Sequence, residues 1–295
     1  MSSESELRQT VVQSQRVARL ARLRRRLDEI DFQNLSVRGW DKFLEAEFLY
    51  ERRHVEPPAQ LYFLGRDWQI LNSAISVSFG GTVSPVADGV QMATMLAQAT
   101  VDNTLGLDAL VVGGGVLGVD TAAHLGALDK AGKTVAVLAN AVRHGLHPYR
   151  PRRSFLQSAI LNHQGGLVAE HDDRVDDYRV RLLDRDRIIT ALSDVFVAIE
   201  CSGRSATVDA AKRAKLQGKR VIAVDWSRLA RKWAEPKTAG NRELMTERIN
   251  GELIAEPFPV DVTGDSAGSW WWEHTATLSD QWHDVLRHTV EGQAS

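Results

Sequence analysis

The sequence predicts an α/β protein built on a doubly wound, mostly parallel sheet, with a helical N-terminal arm and a tryptophan-rich C-terminal segment. Two observations carry the prediction. Between Ile75 and Val224 short apolar runs alternate with stretches of helical periodicity, and parallel neighbours need crossovers of that kind, which are nearly always right-handed helices. Leu110-Val111-Val112 then runs into Gly113-Gly114-Gly115 and an alanine-rich segment from Gly118 to Leu128. That order reads as strand, tight turn and helix. Glycines there let the backbone approach a ligand, while a helix N-terminus offers unpaired N–H groups to an anion.

Residues 1 to about 50 carry Val11, Val12, Val17, Leu20, Leu23, Leu27 and Ile30 at helical intervals, with no proline before Pro57. Arg8, Arg16, Arg19, Arg22, Arg24, Arg25 and Arg26 fall on the other faces. Such an arm reads as a solvated helical face used in self-association, or as a basic arm for phosphates. His54-Val55-Glu56-Pro57-Pro58 marks a boundary, because two prolines cannot continue a helix. The division expected is an arm over 1–56, a sheet domain over 57–256 and an extension over 257–295.

Within the sheet domain, strands are expected near Ile75–Phe79, Ala109–Val112, Thr134–Leu138, Leu167–Ala169, Val195–Ile199 and Arg220–Val224. These runs are largely apolar, as strands covered on both faces are. Helices are expected near Val86–Ala99, Gly118–Ala131, Phe155–His163, Leu182–Leu192 and Thr207–Leu216. Beyond Trp226, Arg228–Lys237 is basic, Gly251–Pro259 holds a further short strand and Gly264–Ser269 is turn-like. Trp270-Trp271-Trp272 opens a terminal helix that continues through Leu278, Trp282, Val285 and Leu286. Three adjacent tryptophans cannot share one face. They fit packing on the sheet domain or across a dimer, with base stacking as the alternative.

Composition bounds the function. The formal net charge is −2, so a nucleic-acid partner requires a local patch. The single cysteine, Cys201, excludes an intrachain disulfide and suits a reducing compartment. No apolar run approaches the roughly 20 residues of a membrane span, and the polar start lacks the pattern of a signal peptide. A cytoplasmic protein with no membrane partner is expected.

Ligands of open α/β sheets bind at the carboxyl ends of the strands. Those ends carry Gly80, Gly81 and Thr82, then Gly113 to Gly115, Asn140, Glu170, the stretch from Glu200 to Ser205 with Thr207, and Asp225. Glycines, hydroxyls and a few carboxylates suit a phosphate or a ribose. Asp120 and His124, four apart, share a helix face, as an orienting acid and a base would or as a helix-start carboxylate bonding amides would. Arg185-Asp186-Arg187 reads as an anion clamp or a surface ion-pair network. Arg150, Arg152 and Arg153 form a basic loop. There is no G-x-S-x-G elbow, and Gly126…Gly132-Lys133-Thr134 has the wrong spacing for a P-loop. His144 and His147 lack companions for a metal. Neither a metal nor a cofactor is expected.

Together these motifs resemble the DNA-processing protein DprA/Smf family. The likeness runs through Gly113-Gly114-Gly115-Val116-Leu117-Gly118-Val119-Asp120, His124-Leu125-Gly126, Gly132-Lys133-Thr134-Val135-Ala136-Val137-Leu138 and Gly165-Gly166-Leu167…Glu170. It continues in Arg185-Asp186-Arg187-Ile188-Ile189, in Glu200…Ser205-Ala206-Thr207 and in Gly240-Asn241…Leu244, and spans roughly 61 to 254. The resemblance implies an extended Rossmann-like sheet and a protein that binds single-stranded DNA and helps to load a recombinase, without established enzymatic activity. It differs from the family pattern in lacking an arginine in the turn Phe79-Gly80-Gly81-Thr82 and another at Leu117, and in carrying Asp186 where an asparagine is usual.

These residues fit three functions. In the first, a DprA-like protein holds single-stranded DNA phosphates with Arg185, Arg187 and the Arg150, Arg152, Arg153 loop, works with a recombinase and forms a homo-oligomer. In the second, a sensor or hydrolase uses Glu170, Glu200 or Asp225 against the ribose of a nucleotide ligand. In the third, arm and tryptophans make an oligomeric scaffold.

Overall fold

The computed structural model describes residues 8–12, 61–146, 151–171, 178–227, 229, 235–260 and 270–294. Its frame is a nine-stranded sheet in the order β1-β2-β6-β5-β4-β3-β7-β8-β11. The strands are β1 (Arg8–Val12), β2 (Leu61–Gly65), β3 (Ile75–Gly80), β4 (Ala109–Gly113), β5 (Lys133–Leu138), β6 (Gly165–Ala169), β7 (Val195–Ala198), β8 (Arg220–Asp225) and β11 (Glu256–Pro259), with β9 (Arg248–Ile249) and β10 (Glu252–Leu253) forming a small hairpin. From β6 to β11 every pair is parallel; β2 against β6 and β1 against β2 are antiparallel. The helices are α1 (Ala87–Val101), α2 (Val119–Asp129), α3 (Pro151–Asn162), α4 (Tyr178–Leu192), α5 (Ala206–Leu216), α6 (Glu235–Thr246) and α7 (Trp270–Ala294).

The parallel strands are apolar because both faces are covered. Ile75, Val77 and Phe79 of β3 enter one core, shared with α1, α2 and α7. Phe196 and Ala198 of β7 enter another beneath α5 and α6. Leu110 and Val112 of β4 face a third, shared with Leu61, Phe63 and α4. The strand order reverses beside β3, since β4 to β6 extend to one side of it and β7 and β8 to the other. That is the switch point at which α/β sheets bind ligands.

The expected strands and helices of the sheet domain all form. One outcome, at the N-terminal end, differs from expectation. Arg8–Val12 is a strand, with Val11 opposite Tyr62 and Val12 opposite Leu61, so helical spacing at Val11 and Val12 is overridden by pairing on the sheet edge. The rest of the arm lies outside the described residues. At the other terminus, the strand expected within Gly251–Pro259 forms and the C-terminal segment packs on the sheet domain, as one of its two expected placements has it. β11 pairs with β8, and Trp282 of α7 is fully buried against Phe79 and Phe258, its indole N–H donating to Thr100 Oγ1 at 2.9 Å. Trp270–Trp272 form the first turn of α7; the turn Gly264–Ser269 lies outside the described residues. No described helix is long and apolar enough to cross a membrane.

Candidate nucleic-acid interface

The carboxyl ends of β6, β5, β4, β3, β7 and β8 form one crest, with the glycine loop 113–118 near its middle. Gly115 and Gly118 have φ of +66° and +88°, a region that disfavours side chains. Gly118 also backs onto Thr82 O and Val83 so closely that a Cβ has no room. The loops after β3 and β4 are thereby joined, and Val119 N–H donates to Thr82 O at 3.3 Å.

Asp120, in the first turn of α2, folds its carboxylate back under the loop. It accepts from Gly114 N–H at 3.0 and 2.9 Å through its two oxygens and from Val116 N–H at 3.0 Å. A carboxylate at a helix start is favoured there by the dipole and by unpaired amides. The N–H groups of Gly115, Leu117 and Gly118 meet no acceptor among the described residues.

His124 lies beneath Asp120, fully buried. Thr134 Oγ1 donates to Val111 O at 3.1 Å, which leaves His124 Nδ1 as the donor to Thr134 Oγ1 at 2.7 Å. Nε2 then carries the lone pair; it has no hydrogen-bond partner and stands 3.6 Å from Asp120 Oδ1. Burial pushes the His124 pKa down, more than the Asp120 charge raises it, and Arg185 lowers it further. The ring is neutral, a packed histidine whose Nε2 lies against Gly113, where a Cβ would collide with it.

The paired arginines are turned inward. Arg185 is 8% exposed, and its Nη1 donates to Gly114 O at 2.7 Å and Val137 O at 3.2 Å, its Nε to Asp186 Oδ1 at 3.2 Å. Gly114 is glycine because a Cβ would lie within that guanidinium. Arg187, 7% exposed, binds Glu170 Oε1 at 2.6 Å and Asp184 O at 3.0 Å. Burial raises the pKa of Asp186, against the lowering effect of Arg185 and Arg213. Sequence proximity to the crest is real for both arginines, but their donors serve strand ends and a carboxylate of this protein.

The acids have similar duties. The carboxylate of Glu200, buried and with its pKa raised by that burial, accepts from Val86 N–H at 3.1 Å and seats the start of α1, where Gly89 leaves no room for a Cβ. Asp225 Oδ1 accepts from Ser227 N–H at 3.0 Å. Gly80 has its Cβ position filled by Phe196 and Thr207, and Gly81 its own by Val119. Thr82 N–H donates to Glu200 O at 2.8 Å. Ser205 caps α5, its hydroxyl accepting from Val208 N–H at 3.4 Å. Arg152 and Arg153, expected in a loop, fall instead in the first turn of α3, which Pro151 opens because a helix start needs no N–H there, while Arg150 and His147 lie outside the described residues. No group of three or more metal-ligating side chains occurs among the described residues.

Sequence reasoning missed Asn241 as a structural hub. Its side-chain N–H groups donate to Ala198 O, Ile199 O and Val224 O at 3.0 to 3.1 Å, and its Oδ1 accepts from Cys201 N–H at 2.9 Å. Gly240 beside it packs on Ser202 O and Cys201 with no room for a Cβ. A Gly-Asn pair inside a helical stretch is the signal that marks it. Lys237 is also newly placed, with Nζ 3.4 Å from Ser84 O on the loop after β3.

Residues 46–256 match the family of DNA recombination-mediator protein A. A DNA processing protein DprA of Mycobacterium tuberculosis is 37% identical over 144 residues, which are 49% of this chain and 35% of that protein. DprA of Bacillus subtilis is 26% identical over 172 residues, 58% of this chain and 55% of its own length. The chain thus spans between about a third and about half of these curated relatives. DprA of Helicobacter pylori, whose structure is described for its single-stranded DNA binding mode, superimposes with a TM-score of 0.56 at 23% identity, over 69% of this chain and 83% of that one. DprA of Streptococcus pneumoniae gives 0.55 at 20% identity, over 77% and 87%. These likenesses establish a shared fold. With the family match running from before β2 to the start of β11, this chain belongs to the family of DNA recombination-mediator protein A.

Proposed function

We propose that the protein binds single-stranded DNA along the crest and acts in DNA processing and recombination. The observation that carries the reading is the glycine loop of a family member, in which three amides, those of Gly115, Leu117 and Gly118, stand without acceptors beside a helix N-terminus. Phosphates are held by these amides and by the cations of the α3 start, Arg150, Arg152 and Arg153. Arg185 shapes the loop from below, and Arg187 holds Glu170 at the neighbouring strand end. A recombinase partner, self-association and a cytoplasmic location belong to the same reading. The second reading, a ribose held by Glu170, Glu200 or Asp225, loses support because each of these carboxylates already serves a partner within the chain.

The test is fluorescence anisotropy of a labelled single strand at two salt concentrations. Binding that weakens with salt is expected, and Arg152→Gln with Arg153→Gln reduces the slope of log affinity against log salt by about 0.7 for each phosphate no longer neutralised. Absence of binding at low salt overturns the reading. Sedimentation of the chain alone and with a recombinase tests the assembly.

A further inference from the structure

Two aliphatic side chains on the crest face solvent instead of the core: Val83, 58% exposed, and Leu117, 37% exposed. They rise from the two loops that touch where Gly118 backs onto Thr82 and Val83. Beside them are the three amides without acceptors, and Lys237 holds the far side of the same loop at Ser84. Anion-seeking amides and an aliphatic surface within one residue of each other match a ligand with both a phosphate and an apolar face. A nucleotide has both. In a duplex the base faces are stacked and covered, so only an unpaired strand presents one.

We infer that Val83 and Leu117 form a nucleobase platform next to the amides of Gly115, Leu117 and Gly118, so that each strand bound here is read through an uncharged contact as well as through its phosphates. This rests on the single-strand reading above and adds to it a subsite whose contribution does not depend on salt. Cation contacts weaken by counterion uptake as salt rises; burial of apolar area does not. The platform therefore supplies the share of affinity that survives high salt, and it disfavours duplex.

The full chain is titrated with two labelled probes of equal length, an oligothymidylate and an abasic strand with the same phosphates. The wild-type protein is expected to bind the base-bearing strand roughly fivefold more tightly or better, a gap that persists at high salt. Val83→Ser with Leu117→Ser closes that gap: affinity for oligothymidylate falls to the abasic level, abasic affinity holds, and the salt slope is unchanged. Equal wild-type affinity for both probes overturns the platform, and that comparison needs no variant to fold. Equal losses on both probes, or a changed slope, also overturn it, since the residues then shape the amide loop. A wild-type protein that binds neither probe removes the single-strand reading itself, and the platform with it.

Discussion

Asp120 and Arg185 hold the two ends of the same residue. The carboxylate of Asp120, from α2, accepts the N–H of Gly114, and the guanidinium of Arg185, from α4, donates to its C=O at 2.7 Å. The glycine loop is thus fixed from two helices, one on each face of the sheet.

Gly114→Ala drives a methyl into the Arg185 guanidinium. Overpacking of this kind costs about 1–3 kcal/mol, and displacement of Arg185 strips Gly114 O and Val137 O of a donor. Urea denaturation is expected to show that loss, with weaker single-strand binding. Arg185→Lys keeps the charge but loses the fork. Its affinity is expected to fall; Arg185→Gln, which removes the charge, is expected to leave the salt slope unchanged, and a slope reduced by about 0.7 in that variant would make Arg185 a phosphate contact instead.

Asp186 gives a pH dependence. Its folded pKa lies above the ordinary 3.8, chiefly through burial. In the window between those two values the folded state holds a proton that the unfolded state has lost, so stability rises as pH falls through it. Above the window the ionised carboxylate costs stability. Asp186→Asn keeps an oxygen for Arg185 Nε and removes the charge. The variant is expected to be more stable than wild type at neutral pH, by a margin that shrinks on acidification; chemical denaturation at a series of pH values measures it.

Trp282 tests whether α7 belongs to the core. Trp282→Ala is expected to cost about 3–5 kcal/mol, a fall in Tm of roughly 10 °C for a chain of this size. Trp282→Phe retains most of the volume, loses the hydrogen bond to Thr100, and is expected to cost about 1 kcal/mol. A loss under about 1 kcal/mol for the alanine variant would mean that α7 detaches without consequence.

Cys201 is buried, and burial together with Glu243 pushes its thiol up to about 12. A thiol-specific reagent at pH 8 is expected to leave the native protein unlabelled and to label it once denaturant is added. Rapid native labelling would place the β7 end in exchange with an open form.

Much of this architecture was legible in sequence because parallel strands buried on both faces are mostly apolar, as Leu110–Val112 and Val195–Ile199 are. The glycine loop was legible because positive φ at Gly115 and Gly118 admits little else. Partners were not. Arg185 and Arg187 lie near the crest as their positions imply, but a sequence does not say whether a guanidinium turns to solvent or to Gly114 O. The strand at Arg8–Val12 was hidden for a related reason: its conformation comes from pairing with β2, while local spacing points to a helix. The tail showed a helix by its periodicity, and nothing local revealed that Trp282 fills the core shared by β3 and β11.

Helix α1 joins two parts of the molecule that serve different ends. Its first turn rests on the carboxylate of Glu200 at the crest, while its last turn carries α7: Thr100 Oγ1 takes the Trp282 N–H, and His283 Nε2 lies 3.0 Å from Ala99 O and 3.4 Å from Asp102 Oδ1. Fifteen residues make a rod about 22 Å long. One rigid element therefore ties the burial of Trp282 to the seat on Glu200, so that the packing of the C-terminal helix and the placing of the crest beside the sheet's switch point share a single helix.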